Sequence, residues 1–277
     1  MANKIAFLGP VGTYTEEAAL RYDPDADLRP YPSIASAGLA VLTGEADESV
    51  VPIENSLEGS VNFTLDLLIG QSGLFIRKEI VLPIEHYLMG KPGTRPTEVQ
   101  VVYSHPQALA QCQGYLERNF PQAQQMASLS TVAAVTDAQA SPVPAAAIAP
   151  KRAAALNGAE IIATGIQDVA ANVTRFAALG KSDHPATGQD KTSICLTFDQ
   201  DVPGQLYQVM GEFARRDINL AKIESRPTKQ SLGQYIFWID CNGHREDADM
   251  KEAIEAISKA VSSIRVLGSY PRWVATT

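Results

Sequence analysis

The chain has 277 residues, 45% of them hydrophobic and 19% charged, with a formal net charge of −8. That apolar content is enough to bury a core, which excludes a disordered chain, and the length suits one large domain or two smaller ones. The negative balance argues against nucleic acid, whose phosphates need a basic face, but allows a local positive pocket for a small anion.

Residues 4–9, KIAFLG, read as a buried first strand, because Gly9, Pro10 and the acids Glu16 and Glu17 interrupt the run too soon for a signal peptide. Thr13 and Glu16 have capping-box spacing for the helix that follows. Residues 33–44 predict a helix capped by Ser33 and stopped by Gly44. Residues 49–56 predict a strand, 61–70 a helix, and 74–90 an unusually long strand broken by Pro83, able to cross between two lobes and leave a cleft. The alternation then repeats. A strand over 99–104 precedes a helix with Pro106 at its first position and Leu109, Cys112 and Leu116 on one face. A short strand precedes Ser130, which caps a helix over 131–140; strand, short helix, strand and the strand 174–180 follow. This alternation predicts α/β architecture with a mainly parallel sheet.

Residues 180–193 are polar and rich in Gly, Pro and Ser, and read as a linker. Beyond them the order is strand, helix 203–216, strand, strand, helix 246–260, strand, the βαββαβ arrangement of ferredoxin-like domains. Cys112, Cys195 and Cys241 are far apart and odd in number, and the four histidines are equally scattered; neither a disulfide framework nor a metal site is expected. No run approaches the ~18 apolar residues of a membrane span, and a cytoplasmic protein is expected.

Polar residues gather where strands hand over to helices: 9–15, 54–60, 104–107 and 128–131. In open α/β sheets ligands bind beyond the carboxyl ends of strands, and converging helix N-termini can hold an anion without a net basic charge. Simple capping explains any one of these clusters. His105 reads as a cap ahead of Pro106, and no GxGxxG, P-loop or GxSxG pattern is present. Thr174 and Arg175 stand side by side in an otherwise apolar strand. Arginine is almost never buried unpaired. Either Arg175 pairs with Glu54 or Glu58 at a strand end, or it forks onto a ligand carboxylate with Thr174 beside it in the cleft; the residues alone leave both open.

FLGPVGTYTEEAA (7–19), PIENSLEGSV (52–61), SHPQALAQC (104–112), NVTRFAALG (172–180) and KIESRP (222–227), in this order, resemble the prephenate dehydratase family over nearly the whole chain. The resemblance implies a two-lobed catalytic domain like the periplasmic binding proteins over 1–182, a linker over 183–191, and an ACT regulatory domain that binds phenylalanine over 192–277. It implies conversion of prephenate to phenylpyruvate, water and carbon dioxide, without metal or cofactor. Thr174, Arg175 and Phe176 become the catalytic candidates: Thr174 as donor to the departing hydroxyl, Arg175 as carboxylate anchor, Phe176 as a pocket wall. Thr13, Asn55, Ser56, Gly59, Ser60, Ser104, Gln107 and Thr131 become the substrate-binding candidates. Gly204, Leu206, Glu224, Ser225 and Arg226 become the effector-binding candidates, although Gly204-Gln205-Leu206-Tyr207 departs from the family's usual Gly-Ala-Leu-Val and puts the effector's identity in question. A homodimer or homotetramer joined through ACT domains is implied. No helical segment precedes Lys4, so a fused chorismate mutase is not expected. Three rivals are an arogenate dehydratase, for which Glu58 is a candidate to meet an ammonium, a prephenate decarboxylase, against which the intact Thr174-Arg175-Phe176 argues, and a non-catalytic amino-acid sensor, which has no use for Thr174.

Overall fold

The computed structural model describes residues 2–200, 202–229 and 233–273. The first lobe runs β1 (Lys4–Leu8), α1 (Tyr14–Tyr22), β2 (Asp27–Tyr31), α2 (Ile34–Thr43), β3 (Glu48–Asn55), β4 (Gly59–Ser60), α3 (Asn62–Gly70) and β5 (Phe75–Pro83). The chain then crosses to a second lobe, with β6 (Tyr87–Gly90), β7 (Val101–Ser104), α4 (Pro106–Gln111), α5 (Gln113–Asn119), β8 (Gln124–Ala127), α6 (Thr131–Ala140), β9 (Ala145–Ala149), α7 (Lys151–Asn157) and β10 (Glu160–Ala163). It returns through β11 (Val173–Gly180) to the first sheet, whose order is β2-β1-β3-β11-β5 with β4 on β3. The second sheet is ordered β10-β6-β9-β7-β8. The stretch 74–90 therefore crosses between lobes, with β5 and β6 in different sheets.

The local signals set these elements. Ser33 and Ser36 form a reciprocal capping box, and Gly44 ends α2 in the left-handed region at φ 82°. Ser130 caps α6 through the Ala133 N–H, and Pro106 opens α4. The expected single helix after Pro106 breaks at Cys112, yet Leu109, Cys112 and Leu116 still share the second-lobe core.

The sheets are not mainly parallel. β1 runs parallel to β2 and β3, and β7 to β8 and β9, but β11 is antiparallel to β3 and β5, and β6 to β9 and β10. Two lobes built by one excursion of the chain require this: β5 leads out, β11 leads back, and the two lie side by side. The connections are laced together, with Ile84 N donating to Asn172 O (2.8 Å) and Ile166 N to His86 O (3.0 Å).

The C-terminal domain holds β12 (Asp190–Thr197), α8 (Gln205–Ala214), β13 (Leu220–Pro227), β14 (Tyr235–Asn242), α9 (Ala248–Ser258) and β15 (Ser263–Pro271), in sheet order β13-β14-β12-β15. This is the expected βαββαβ arrangement, with its first strand starting inside the linker segment. Its helices cover one face of the sheet. The other face lies on the first lobe, where Cys195, Trp238, Leu267 and Tyr270 share a core with Val51, Leu74, Ile76, Ala177 and Leu179. Gly268 makes the close approach possible: a Cβ there would lie 2.3 Å from the Ile76 carbonyl oxygen.

Candidate active site

A cavity of about 490 Å³ opens between the lobes. The first lobe supplies Thr13, Tyr14, Asn55 and Phe63, the second His105, Gln107, Gln111 and Thr131, the crossover His86, and the returning strand Thr174 and Phe176. It continues into a groove of about 700 Å³ past Gly9, Pro10, Tyr31 and Leu129. Among the described lining residues there is no Lys, Arg, Asp or Glu. What the cleft presents to an anion is therefore the N-terminal ends of α1 and α6, at Thr13 and Thr131, rather than cationic side chains.

A chain of amides fixes the centre of the cleft. Asn55 Nδ2 donates to Thr174 Oγ1 (2.9 Å) and to Asn172 Oδ1 (2.7 Å), while Asn55 Oδ1 accepts from the N–H groups of Leu57 and Glu58. Asn172 Nδ2 donates to Gln111 Oε1 (3.0 Å), which also accepts from His86 Nε2 (2.9 Å). Burial pushes the His86 imidazole below the ordinary histidine range, against the opposing effect of the Gln111 bond, so the ring is neutral at pH 7. The Tyr14 hydroxyl bonds the Glu85 backbone at the crossover, and burial keeps its phenol protonated. With one lone pair of Thr174 taken by Asn55, its hydroxyl hydrogen is left to donate into the cavity.

Of the sequence candidates, Thr13, Asn55, Gln107, Thr131, Thr174 and Phe176 are thus brought together on one cavity. Five other residues are not. Successive strand residues face opposite sides, so Thr174 and Phe176 face α1 and the cleft while Arg175 points at the C-terminal domain. Its guanidinium is held by Glu54 (3.0 Å), Glu79 (3.3 Å) and Asp240 (2.9 Å), so it does not reach the cleft as a carboxylate anchor. Ser60 pairs across the β3–β4 hairpin with Glu54 and shares that distal face, where its hydroxyl bonds Glu224 and Lys222. Ser104 is buried, with its hydroxyl on Ile148 O (2.7 Å). Ser56 clips its loop to Val173 N (3.0 Å), and Gly59 sits exposed at φ 81° opposite Asn55. His105 is the expected cap, its Nδ1 accepting from Gln107 N, and its ring also reaches the cavity.

His86, Gln111 and Asn172 were not singled out by the sequence. Two of them carried a readable signal: Gln111 follows Gln107 by four residues on one helix face, and Asn172, just ahead of β11, precedes Thr174 by two.

The effector candidates divide. Gly204 and Leu206 border a pocket of about 330 Å³ with Phe198, Tyr207, Tyr235 and Phe237. Glu224 and Arg226 do not border it. They face the catalytic part, Glu224 meeting Ser60, and Arg226 pairing with Asp66 (2.8 Å) and donating to Asn62 O (3.1 Å). Ser225 lies on the opposite, exposed face of β13.

Residues 5–184 match the family described as Prephenate dehydratase, and residues 200–259 match the ACT domain. A prephenate dehydratase of Mycobacteroides abscessus is 40% identical over 280 residues, covering 97% of this chain and 90% of that one. The crystal structure of prephenate dehydratase from Arthrobacter aurescens in complex with L-Phe superposes with a TM-score of 0.90 at 36% identity, covering 97% of this chain and 90% of that one. GqqA, described as a novel type of quorum quenching acylase, superposes with a TM-score of 0.85 at 30% identity, covering 97% of each. With its two-lobed cleft, its Asn55–Thr174 pair and its following βαββαβ domain, the chain belongs to the prephenate dehydratase family and carries an ACT domain.

Proposed function

We propose that the chain converts prephenate to phenylpyruvate in the cleft between the lobes and that phenylalanine regulates it through the ACT domain. The observation that carries the reading is the Thr174 side chain on the cavity wall, its oxygen accepting from Asn55 Nδ2 at 2.9 Å, which leaves the hydroxyl hydrogen for a ligand. Prephenate loses carbon dioxide, and the electron pair of the breaking C–C bond enters the ring as the ring hydroxyl departs. Hydroxide is a poor leaving group, and aromatisation supplies the driving force. Thr174 stabilises the charge that develops on the departing oxygen by donating a hydrogen bond; its own pKa is too high for a free general acid. The departing hydroxide takes its proton from solvent water reaching the cleft and is released as water. The ends of α1 and α6, at Thr13 and Thr131, provide N–H groups for the substrate carboxylates. Phe176 walls the ring.

Prephenate is favoured over arogenate because no carboxylate lines the described cavity to meet an ammonium; Glu58 instead accepts from Gln111 Nε2 (3.3 Å). The catalytic unit is taken as 1–182 and the ACT domain as 192–277. Phenylalanine is assigned to the Gly204–Leu206 pocket, completed by a second ACT domain in a homo-oligomer, and the chain to the cytoplasm. Among the described residues no helix is long and apolar enough to cross a membrane.

The test is turnover of prephenate, followed as phenylpyruvate absorbance in base, with and without phenylalanine. Thr174→Ala is expected to lower kcat by about 10²–10³, the usual cost of one such donor, while prephenate binding by calorimetry survives. A folded wild-type protein that leaves prephenate untouched overturns the assignment.

A further inference from the structure

The C-terminal domain touches the active-site strands from behind. In the β3–β11 register Thr174 pairs with Asn55, and Arg175 with Glu54. The first pair faces the cleft; the second faces the ACT sheet. Both members of that second pair are held by ACT residues. Arg175 Nη1 binds Asp240 Oδ2 (2.9 Å), and Glu54 Oε1 binds Lys222 Nζ (3.0 Å). Asp240 is fully buried and fixed in turn, its Oδ1 accepting from Ser193 Oγ (2.6 Å) and Trp238 Nε1 (2.7 Å). Glu79, beside Arg175, takes Lys191 at the start of β12 (2.8 Å).

We infer that Asp240 and Lys222 are positioning residues for the dehydration, holding Thr174 and Asn55 in place through Arg175 and Glu54. This rests on the dehydratase reading. Each gripped side chain is one peptide bond from a cleft residue, so a shift of the grip moves the hydroxyl or the amide directly. A misplacement of about 1 Å at a reacting group costs on the order of 100-fold in rate. A buried ion network is a weak source of stability, because desolvation offsets its Coulomb gain. Its placement behind the two site residues gives it a use that stability does not.

The experiment measures kcat and KM of the full chain for Asp240→Asn and Lys222→Met, each also in the Thr174→Ala background, with Lys251→Met on the exposed face of α9 as control. The expected result is a fall in kcat of about tenfold or more, KM within about twofold, no further loss when Thr174 is already absent, and an unchanged control; tenfold corresponds to ~1.4 kcal/mol of barrier. If Asp240→Asn does not fold, Lys222→Met carries the test. Equal losses in both backgrounds, or a lower melting temperature with unchanged kcat, overturn the inference and leave the network as domain glue. If the wild type does not turn over prephenate, the dehydratase reading falls separately, and the Asn55 side-chain amide resonance in asparagine-labelled protein decides. A shift on Lys222→Met but not on Lys251→Met supports positioning; no shift overturns it.

Discussion

The two lobes frame one cleft but are built on different terms. The first lobe shares its core with the ACT domain, through Trp238, Leu267 and Tyr270 against Val51, Ile76 and Leu179. The second lobe has cores of its own, around Leu88, Val102 and Ile148 and around Met89, Val135 and Ala147, to which no described ACT residue contributes. The regulatory domain therefore grips one wall of the cleft and leaves the other to move. An effector can bias the site only through a difference in its affinity for two arrangements, and a change in how the second lobe meets the first is one that would leave the core shared with the ACT domain intact.

The strongest way to break the contrast is Trp238→Ala. It removes a fully buried indole from the shared core and is expected to cost about 3–5 kcal/mol. Hydrogen exchange should accelerate in β3 and β11 as well as in β14, while β7 and β9 keep their protection; Leu88→Ala should give the reverse pattern. Gly268→Ala is next. Its methyl would strike the Ile76 backbone, and overpacking of this kind costs about 1–3 kcal/mol. The expected outcome is a loosened ACT domain, read as lost protection in β15 and β5, with the second lobe unchanged.

His86 sharpens the comparison at the crossover. Burial holds its folded pKa below the value of about 6.5 expected in the unfolded chain. Between those two values the unfolded state binds more protons, so this group's contribution is intact above about 6.5 and stability is lost as pH falls below it. His86→Asn should reduce the drop in melting temperature between pH 7 and pH 5 relative to wild type. The smallest effect is expected from Arg152→Ala. Arg152 of the second lobe reaches Glu16 of the first (2.6 Å), whose carboxylate also accepts from Gly12 N (2.7 Å). The arginine is substantially exposed, so loss of this inter-lobe pair should weaken closure by ~1 kcal/mol or less, seen as a KM raised a few-fold with kcat unchanged.

What the sequence made legible was local. Ser33, Gly44, Pro106 and Ser130 act on backbone groups within a turn of themselves, so their roles needed no partner from elsewhere. Arg175 was open between two readings because its partners lie at Glu54, Glu79 and Asp240, distances along the chain that no spacing rule covers. Strand alternation alone, however, excluded Thr174 and Arg175 from sharing one cleft. The same alternation, carried across the β3–β4 hairpin, places Ser60 with Glu54 rather than with Asn55. The Glu224 and Arg226 side chains read as effector contacts until the packing of β13 on the first lobe claimed them, a tertiary choice invisible in the KIESRP string.

The laced crossover has a mechanical consequence. A single connecting thread would let the second lobe swivel freely. Here two antiparallel segments cross together, bonded at Ile84–Asn172 and Ile166–His86, with Gln167 Oε1 accepting from His86 N (3.0 Å). A two-stranded ribbon bends across its flat face more easily than it twists, so hinge-like opening is the motion that these bonds favour over swivelling. Asn172 and His86 lie on that ribbon and also in the amide chain that ends at Thr174, so the angle of the gape and the aim of the hydroxyl are read from the same pivot.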